Sequence, residues 1–588
     1  MKNTTSPSNN KTIKSQGAIQ KLFGILAAHP YISMFAACFI CTLPFFGDIS
    51  YITPTVPIIM YFIFCISASC IITNSCNKRH IKNPLQLIFI IAAVTVTAPI
   101  FMYFRHYGNR MLLIFFYGII LTSAFYYSFY SKKLERQFNV FLIIGLSFVI
   151  KLCYVLGTTV YNRQHDIGRF GTSNEIAEGH MGYISYIFYN HHIYDGDYRQ
   201  YFQYCHPPLH HTICALWIGF ANKILHIDLE KATEFAQVLP LFYSMTIIIT
   251  AYKIFRYFKL EGSSLYIPLI ITAFHPCFTF LSGLMNNDAL AWAFTMAAVL
   301  CTLKWYKEPT LGNIMRISLC MGLSMMSKLS AALAAFPIAV VLLTVFLRSL
   351  KTSWKKLTGQ FAAFLAVCFP LGMWFPIRGL TRWGIPLTYV QPLGDLPQRI
   401  KGITFFQRIT DFSFKQVRNV YENWLWFDEA GEPQAFNEHN PLIAILKNSI
   451  FSECINGNNF NDDRTMLAIC QILFWLGVAL AAAAFAAMIF CLFRKCSADK
   501  VEKIFLAFFH LTLVINLYIL SKNYPLVCSM KFRYLMPTVI TGAIFLGLYL
   551  LRFENSKKRS VSMLKTSLTA SAITFAVFSS VVYLVVVL

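Results

Sequence analysis

The sequence predicts an all-α polytopic membrane protein with about fifteen transmembrane helices. The chain has 588 residues, of which 56% are hydrophobic and only 13% are charged, whereas about a quarter of the residues in soluble domains are charged. Its apolar runs are long enough to cross a bilayer, which takes about 20 helical residues. The 55 Phe and 30 Tyr suit lipid-facing walls and the aromatic belts at membrane interfaces.

The position of each span follows from these apolar runs. The predicted spans are 30–47, 55–74, 84–104, 110–130, 138–160, 233–252, 264–283, 289–306, 312–327, 330–347, 358–376, 466–490, 503–521, 533–551 and 566–587. Short loops rich in Lys and Arg, such as 77–82 and 348–356, are typical of the cytoplasmic side. Placing these loops inside puts the N-terminus in the cytoplasm and the C-terminus outside.

This orientation requires that the apolar segment 206–224 does not cross the membrane. If it crossed, every later basic loop would move to the outer side, against the positive-inside rule. We therefore expect a juxtamembrane helix on the outer face, with His206 as N-cap and Pro207 at its first position, where a missing N–H costs nothing. The helix at 179–190 is aromatic and amphipathic, and we expect it on the same surface.

The spans and loops divide the chain into five parts. These are a cytoplasmic polar N-terminus at 1–29, a four-helix membrane extension at 30–137, a membrane core at 138–376 with an outer loop at 161–232, a large outer loop at 377–465, and the C-terminal membrane helices at 466–588.

The first outer loop begins with "YNRQHDIGRF", which places Arg163, His165 and Asp166 at the mouth of a span. Residues 161–211 hold seven of the 14 histidines, His206 and His210 among them. Ionisable groups at a membrane boundary indicate a functional site. A simple solvated loop is the alternative, although it would not need two surface helices.

A second polar segment, "MNNDALAW" at 285–292, lies at the outer ends of the predicted spans 264–283 and 289–306. Asn287 and Asp288 could serve only as helix caps, which Asn and Asp favour. Because Asp288 is predicted on the same membrane face as Asp166, the two carboxylates could instead share a cavity. There they could perform an acid/base step or hold a divalent cation.

Single basic residues stand at other outer mouths, namely Lys328, Arg378 and Arg533. They could be side chains that extend from span ends towards water. They could also bind an anionic ligand, since Arg matches phosphate oxygens with two parallel N–H groups. An outer cavity with carboxylates and cations suits a lipid phosphate that carries a transferable group.

Other classes of site have less support. His206 and His210 are four residues apart and would share a helix face, so with His165 or Asp166 they could form a metal site, but no HExxH motif is present. No cofactor is otherwise indicated. The absence of GxGxxG, Walker and GxSxG motifs argues against a nucleotide-driven pump or a serine hydrolase. The net charge of +24 reflects the basic loops, and we expect no nucleic-acid partner.

The order of the polar motifs resembles that of the GT-C superfamily of integral-membrane glycosyltransferases, in the branch of protein O-mannosyltransferases and aminoarabinose transferases. The motifs are Asp166 after a long span, the aromatic helix at 179–190, "HPPLHH" at 206–211, "NND" at 286–288, Lys328 and "RYLMP" at 533–537. The likeness covers about 138–552 in outline. Many relatives carry paired acids in the first loop, whereas the neighbour of Asp166 is His165.

The resemblance implies a GT-C-like helical bundle with Asp166 as catalytic base and Asp288 as a supporting carboxylate. The donor would be a sugar on a polyprenyl-phosphate carrier, and the acceptor a hydroxyl on a protein, lipid or glycan at the outer face. We expect a hexosyl or pentosyl transferase of a bacterial plasma membrane that serves cell-envelope glycosylation. Substrate-binding roles are predicted for Arg163, His165, His206, His210, Asn287, Lys328, Arg378 and Arg533.

A transporter or flippase for a lipid-linked glycan is the main alternative, since it would need a similar outer cavity. It would also need charged residues deep within several spans, lining a path to the inside. Apart from Lys151, the predicted spans have few such residues, so the sequence favours transfer over transport.

Overall fold

A computed structural model describes residues 29–46, 136–392, 399–417, 420, 426–427, 433–434, 438–452, 455, 457–460, 463–556 and 558–586. The predicted spans at 55–74, 84–104 and 110–130, and residues 1–28 of the N-terminal segment, lie outside the described residues.

The described chain is almost entirely helical, as the sequence predicts. Its α-helices are α1 (Pro30–Phe46), α2 (Arg136–Gly157), α3 (Gly179–Asn190), α4 (Leu209–Lys223), α5 (Leu229–Phe235), α6 (Val238–Tyr257), α7 (Gly262–Phe274), α8 (Pro276–Phe280), α9 (Asp288–Lys307), α10 (Leu311–Ser327), α11 (Ala335–Arg348), α12 (Trp354–Trp383), α13 (Phe405–Thr410), α14 (Pro441–Phe451), α15 (Arg464–Phe493), α16 (Lys500–Asn523), α17 (Pro537–Arg552) and α18 (Arg559–Val586). Two short antiparallel strands, β1 (Trp426–Phe427) and β2 (Pro433–Gln434), pair Trp426 with Gln434.

Seven helices in the described part of the chain are long and apolar enough to cross a membrane, or eight if one bent pair counts as a single span. Some predicted spans are divided in the structure. The span expected at 264–283 breaks into α7 and α8 between His275 and Pro276. The residue before a proline is pushed out of the helical region, and His275 accordingly has extended backbone angles.

The helices run alternately between two ends of the bundle. At one end, the Tyr257 hydroxyl at the end of α6 lies 2.7 Å from the Glu502 carboxylate and 2.9 Å from Leu303 O. At the other end, the Val160 N–H donates to the Glu234 carboxylate at 3.0 Å. The segment between α2 and α6 therefore leaves and re-enters the bundle at the same end.

Helix α4 lies between α2 and α6 in the chain and packs beside α3 and α5. It covers most of residues 206–224, the stretch that is expected not to cross. It begins at Leu209, with Pro208 preceding it, so the expectation that His206 is its N-cap is wrong. Two consecutive prolines keep His206 and Pro207 outside the helix, because the residue before each proline disfavours helical angles.

Helices α9, α10 and α12 form the most closely packed group in the bundle. The Ser324 hydroxyl on α10 donates to Ala291 O on α9 at 2.7 Å, and the Trp305 indole donates to Gln360 at 2.8 Å. A Cβ atom at Gly322 would lie 2.8 Å from the Leu371 side chain on α12. Small residues at such crossings let helix backbones approach in an apolar medium.

Arg163 closes the C-terminal end of α2. Its guanidinium donates to Tyr154 O at 2.9 Å, to Val155 O at 2.8 Å and to Thr158 O, and it lies over the Tyr154 ring at 4.7 Å. Helices end with carbonyls that lack an intrahelical partner, and a cation there also interacts favourably with the helix dipole. A Cβ atom at Gly283 would clash with this guanidinium, so a larger residue there would displace the Arg163 side chain.

Replacing Arg163 by Met should destabilise the protein by about 2 kcal/mol or more, since several buried carbonyls lose a charged donor. Arg169→Met is the matched control, because Arg169 is in the same loop but 75% exposed and paired only with Glu175. Such surface pairs contribute about 0–1 kcal/mol. Thermal unfolding in detergent measures both variants. Equal melting temperatures for the two would contradict the capping role of Arg163.

Candidate functional site

A cavity of about 350 Å³ opens at the end of the bundle where α2 ends and α9 begins. One part of its wall is apolar and includes Leu329, Leu333, Phe375, Leu387, Val390 and Leu520. The polar part of its wall includes Asp166, His180, Gln203, His206, Asp288, Lys328, Gln391, Asn516 and Arg533. Five of the residues predicted for the site, namely Asp166, His206, Asp288, Lys328 and Arg533, therefore meet in one place.

Two glycines fix the backbone of Asp166 against the start of α3. Gly168 and Gly179 both have positive φ, at 66° and 86°. A Cβ atom at either glycine would clash with the backbone around the other one. Only glycine adopts this region without strain and permits so close an approach. As a result, Asp166 O accepts the His180 N–H at 3.3 Å and Ile167 O accepts the Met181 N–H at 2.8 Å.

The Asp166 carboxylate accepts hydrogen bonds from two side chains and has an imidazole close by. Arg533 Nη2 lies 2.7 Å from Oδ2, Gln164 Nε2 lies 3.1 Å from Oδ1, and His180 Nε2 lies 3.7 Å from Oδ2. Burial raises the pKa of the carboxyl, but the charge of Arg533 and the interaction with His180 outweigh it. The net pKa is well below the ordinary value of 3.8, so Asp166 is a carboxylate at neutral pH.

Asp288 is the first residue of α9 and is almost completely buried, with 2% of its side chain exposed. Its carboxylate pairs with Lys328 Nζ and lies 3.6 Å from Arg533 Nε. Asn287 precedes it as N-cap without a capping side-chain bond and instead donates to Ser327 O at 2.9 Å. Helix capping alone therefore does not explain these residues.

A single guanidinium connects the two acids, because Arg533 contacts both Asp166 and Asp288. Lys328 completes the group, and both cations lie over the Tyr534 ring, at 4.8 and 5.6 Å. The charges of the two carboxylates, Asp166 and Asp288, balance those of the two cations, Lys328 and Arg533. Burial and the nearby Lys328 lower the pKa of His206 well below 6.5, so this imidazole adds no charge at neutral pH.

The structure does not bring five of the predicted substrate-binding residues into the cavity wall, namely Arg163, His165, His210, Arg378 and Asn287. Arg163 caps α2, and His165 is exposed on the loop surface. His210 is buried on α4 against the Cys214 sulfur, 3.6 Å away. The position of Arg163, His165 and His210 in the first outer loop did not decide which of these side chains face the cavity, because that depends on local backbone direction.

Arg378, another of these residues, positions a wall of the cavity from outside. It donates to Asp195 at 2.7 Å and to Tyr194 O at 2.9 Å. A few residues on, Tyr198 stacks on Phe375 of α12 with ring centroids 5.2 Å apart. Arg378 therefore fastens the first outer loop to the end of α12, where Tyr198 and Phe375 both line the cavity.

Several residues of the site were not predicted from the sequence. His180 lies beside Asp166, Gln164 supports its other oxygen, and Tyr534 lies under both cations. The sequence "GHMGY" at 179–183 carries a weak signal for His180, since a histidine at a helix start after a glycine can face a neighbouring loop. Gln391 and Asn516 come from distant segments, and no local pattern marks them.

The metal hypothesis does not gain support from the arrangement of the side chains. Among the described residues, no group of three or more His, Cys, Asp or Glu side chains is placed to hold a metal ion. His206 and His210 do not share a helix face as expected, because α4 begins only at Leu209.

Comparison with known proteins connects this site to a family. Residues 206–374 match the family described as dolichyl-phosphate-mannose-protein mannosyltransferase. The matched segment includes His206, Asp288 and Lys328, whereas Asp166 and Arg533 lie outside it. No curated protein sequence matches the chain.

Solved structures of two proteins are similar to this chain at low identity. ArnT from Cupriavidus metallidurans in the apo state is 10% identical, with a TM-score of 0.43 over 76% of each chain. ArnT bound to undecaprenyl phosphate is 11% identical, with a TM-score of 0.42 over the same shares. AglB from Archaeoglobus fulgidus, in complex with an inhibitory peptide and a dolichol-phosphate, is 12% identical, with a TM-score of 0.41 over 76% of this chain and 55% of AglB.

The long apolar helices of the described residues make the chain an integral membrane protein. The mannosyltransferase family match over residues 206–374 agrees with the resemblance to membrane glycosyltransferases that the order of polar motifs indicates.

Proposed function

We propose that this protein transfers a sugar from a polyprenyl-phosphate carrier to an acceptor hydroxyl at the non-cytoplasmic face of a bacterial plasma membrane. The observation that carries the proposal is the pair of carboxylates, Asp166 and Asp288, bridged by Arg533 in a cavity with an apolar wall. The mannosyltransferase family match over part of the chain supports it.

The cavity suits a lipid phosphate. Lys328 and Arg533 can neutralise phosphate oxygens, and Arg can bind two of them at once. The apolar wall formed by Leu329, Leu333 and neighbouring residues suits the first units of an isoprenoid chain. The solved structures of ArnT and AglB include complexes with undecaprenyl phosphate and a dolichol-phosphate, which is the same ligand class.

The distribution of charge between the ends of the bundle supports this choice of membrane face. The end opposite the cavity carries many basic residues, among them Arg256, Lys304, Lys356, Arg494 and Arg552. Loops with such an excess of Lys and Arg face the cytoplasm. The cavity then opens on the other face, and α3 and α4 lie along that surface.

In the reaction, the acceptor hydroxyl attacks the anomeric carbon of the donor sugar. Asp166 takes the hydroxyl proton as the new C–O bond forms. The bond from the anomeric carbon to the phosphate oxygen breaks, and the lipid phosphate leaves with the electron pair. Lys328 and Arg533 stabilise the charge that develops on it. A single displacement of this kind inverts the configuration of the anomeric carbon.

Arg533 also controls the basicity of Asp166. While Arg533 contacts Asp166, the low pKa makes this carboxylate a weak base, and a catalytic base works best when its pKa lies near the working pH. A donor phosphate competes for the same guanidinium. Donor binding therefore weakens the Asp166–Arg533 pair and raises the basicity of Asp166 when the substrate is present.

Asp288 has a supporting role in this scheme. Its carboxylate is buried at the start of α9, in contact with Lys328, so it is less accessible to an acceptor than Asp166, whose side chain is 17% exposed. It holds Lys328 and Arg533 in place for the phosphate. Protein, lipid and glycan hydroxyls all remain candidate acceptors.

The flippase alternative is separated from transfer by an assay in detergent micelles, where translocation has no meaning. Purified protein is incubated with a panel of radiolabelled polyprenyl-phosphate sugars and a hydroxyl acceptor mixture from membranes. A transferase moves the label from the carrier to a new product. If the label stays on the carrier in micelles but crosses the bilayer in proteoliposomes, the protein is a flippase.

The substitution Asp166→Asn should lower the transfer rate at least 100-fold, because an amide cannot take the acceptor proton and a positioned base contributes about 10²–10⁴-fold. Asp197→Asn is the matched control: this carboxylate is in the same loop, 20% exposed and paired with Arg199, but outside the cavity wall. Donor binding and melting temperature should be nearly unchanged in both. Full transfer activity in Asp166→Asn would exclude the proposed base.

The substitution Arg533→Gln should move the acid limb of kcat/KM to higher pH. It removes the charge that lowers the pKa of Asp166, while burial, which raises that pKa, remains. The unmodified enzyme keeps Asp166 ionised above its ordinary value of 3.8, whereas the variant loses activity as pH falls through the raised pKa. Profiles of kcat/KM between about pH 5 and 8 test this, since kcat/KM reports groups of the free enzyme.

Lys328→Gln serves as the reference for this profile. Lys328 contacts Asp288 rather than Asp166, so its loss should lower activity without moving the acid limb. Identical profile shapes for the Arg533 and Lys328 variants would show that Arg533 does not set the pKa of Asp166.

A further inference from the structure

A pair of buried histidines lies behind Asp166. His180 and His211 are 2% and 0% exposed, and their rings are nearly parallel, with an angle of 8° and centroids 5.3 Å apart. His180 Nδ1 lies 3.0 Å from His211 Nε2, while His180 Nε2 points to Asp166 Oδ2 at 3.7 Å. The three side chains form a row that runs from the cavity into the protein.

Hydrogen-bond accounting selects one arrangement of protons in this row. A neutral imidazole has one donor and one acceptor nitrogen. His211 Nδ1 is buried without a hydrogen-bond partner. If His211 carries its proton on Nε2, it donates to His180 Nδ1 and leaves only an acceptor unpaired. The opposite tautomer would bury an unpaired N–H, and buried backbone and side-chain donors without a partner are rare in folded proteins.

The proton of His180 must then lie on Nε2, on the side of Asp166. This places an N–H donor towards the carboxylate instead of a lone pair that would repel it. Burial, with a smaller contribution from His180, lowers the pKa of His211 well below 6.5, which agrees with a neutral imidazole at this position. The other groups around His180 are His206, stacked at 5.6 Å, and the Tyr183 ring, which faces His211 at 4.7 Å.

We propose that His180 and His211 are positioning residues for transfer: His211 fixes the tautomer of His180, and His180 Nε2–H holds the Asp166 carboxylate in its reactive orientation. This inference rests on the proposed function of Asp166. It matters most when a donor phosphate draws Arg533 away, because Gln164 and His180 are then the donors that remain on the carboxylate.

The geometry also separates this role from donor binding. His211 is buried behind His180 and is not part of the cavity wall. Loss of either histidine should therefore lower kcat and leave the KM for the donor nearly unchanged, since Lys328 and Arg533 remain in place. A misplaced catalytic group costs on the order of 100-fold in rate.

The test uses variants of the full chain in detergent, with the labelled polyprenyl-phosphate sugar that gives transfer. His180→Leu should lower kcat on the order of 100-fold, and His211→Leu should lower it less. Because the residues act in series, the double variant should be no slower than His180→Leu, which is the non-additivity expected of coupled positions. His211→Gln keeps an N–H donor and should restore most of the activity.

A matched control and a direct readout guard against a merely structural effect. His510→Leu removes a partly buried histidine whose Nδ1 lies 2.8 Å from the Thr541 hydroxyl, outside the cavity wall, and should leave kcat unchanged. Independently of activity, ¹⁵N spectra of protein labelled at histidine distinguish the two tautomers. The signal lost in His180→Leu should be that of an Nε2–H imidazole.

The outcomes separate this inference from the proposed function. Unchanged kcat in His180→Leu, an equal loss in His211→Gln and His211→Leu, or an Nδ1–H signal for His180 would each overturn the positioning roles. If Asp166→Asn is inactive while both histidine variants keep full kcat, only this inference fails. If Asp166→Asn remains fully active, the proposed function fails whatever the histidine variants do.

Discussion

The contact of Arg533 with both Asp166 and Asp288 is the interaction on which the site depends. It joins the loop after α2, the start of α9 and the turn before α17, three segments far apart in sequence. Buried charges are costly unless they are paired and hydrogen-bonded, so removing Arg533 would leave two carboxylates facing each other with Lys328 as the main remaining cation. The same guanidinium is the natural partner of a phosphate, which gives donor binding a direct effect on the proposed base.

The surrounding bundle holds this charge group at one end of an apolar body. Arg163 closes α2 immediately before the loop that carries Asp166, and the paired glycines at 168 and 179 tie that loop to α3. Arg378 fastens the same loop to α12 through Asp195. Basic residues that the sequence alone could not tell apart thus have three different tasks: Arg163 caps a helix, Arg378 clamps a loop, and Arg533 joins the acids of the cavity.

Much of the candidate site could be predicted because its residues interrupt long apolar runs. Asp166, Asp288, Lys328 and Arg533 are each polar residues at the predicted mouth of a span, and the structure brings all four together. Two of the wrong predictions concern residues that are direct sequence neighbours of Asp166 or of His211. His165 neighbours Asp166 along the chain but is exposed, and His210 lies next to His211 but faces Cys214. Adjacent residues on a loop or helix point in different directions, and only the backbone path decides which of them faces the cavity.

The sequence by itself determined that this is a helical membrane protein and which ends of its helices carry polar residues. It also predicts that the segment 206–224 does not cross. Hydrophobic length and the bias of basic loops determine these features, because they depend on the bilayer rather than on contacts within the fold. Only the tertiary structure decided that His180 lies behind Asp166, that Arg533 bridges two acids, and that Arg163 turns away from the cavity. Those outcomes follow from pairing between distant segments, where each buried polar group must find a partner that local sequence does not specify.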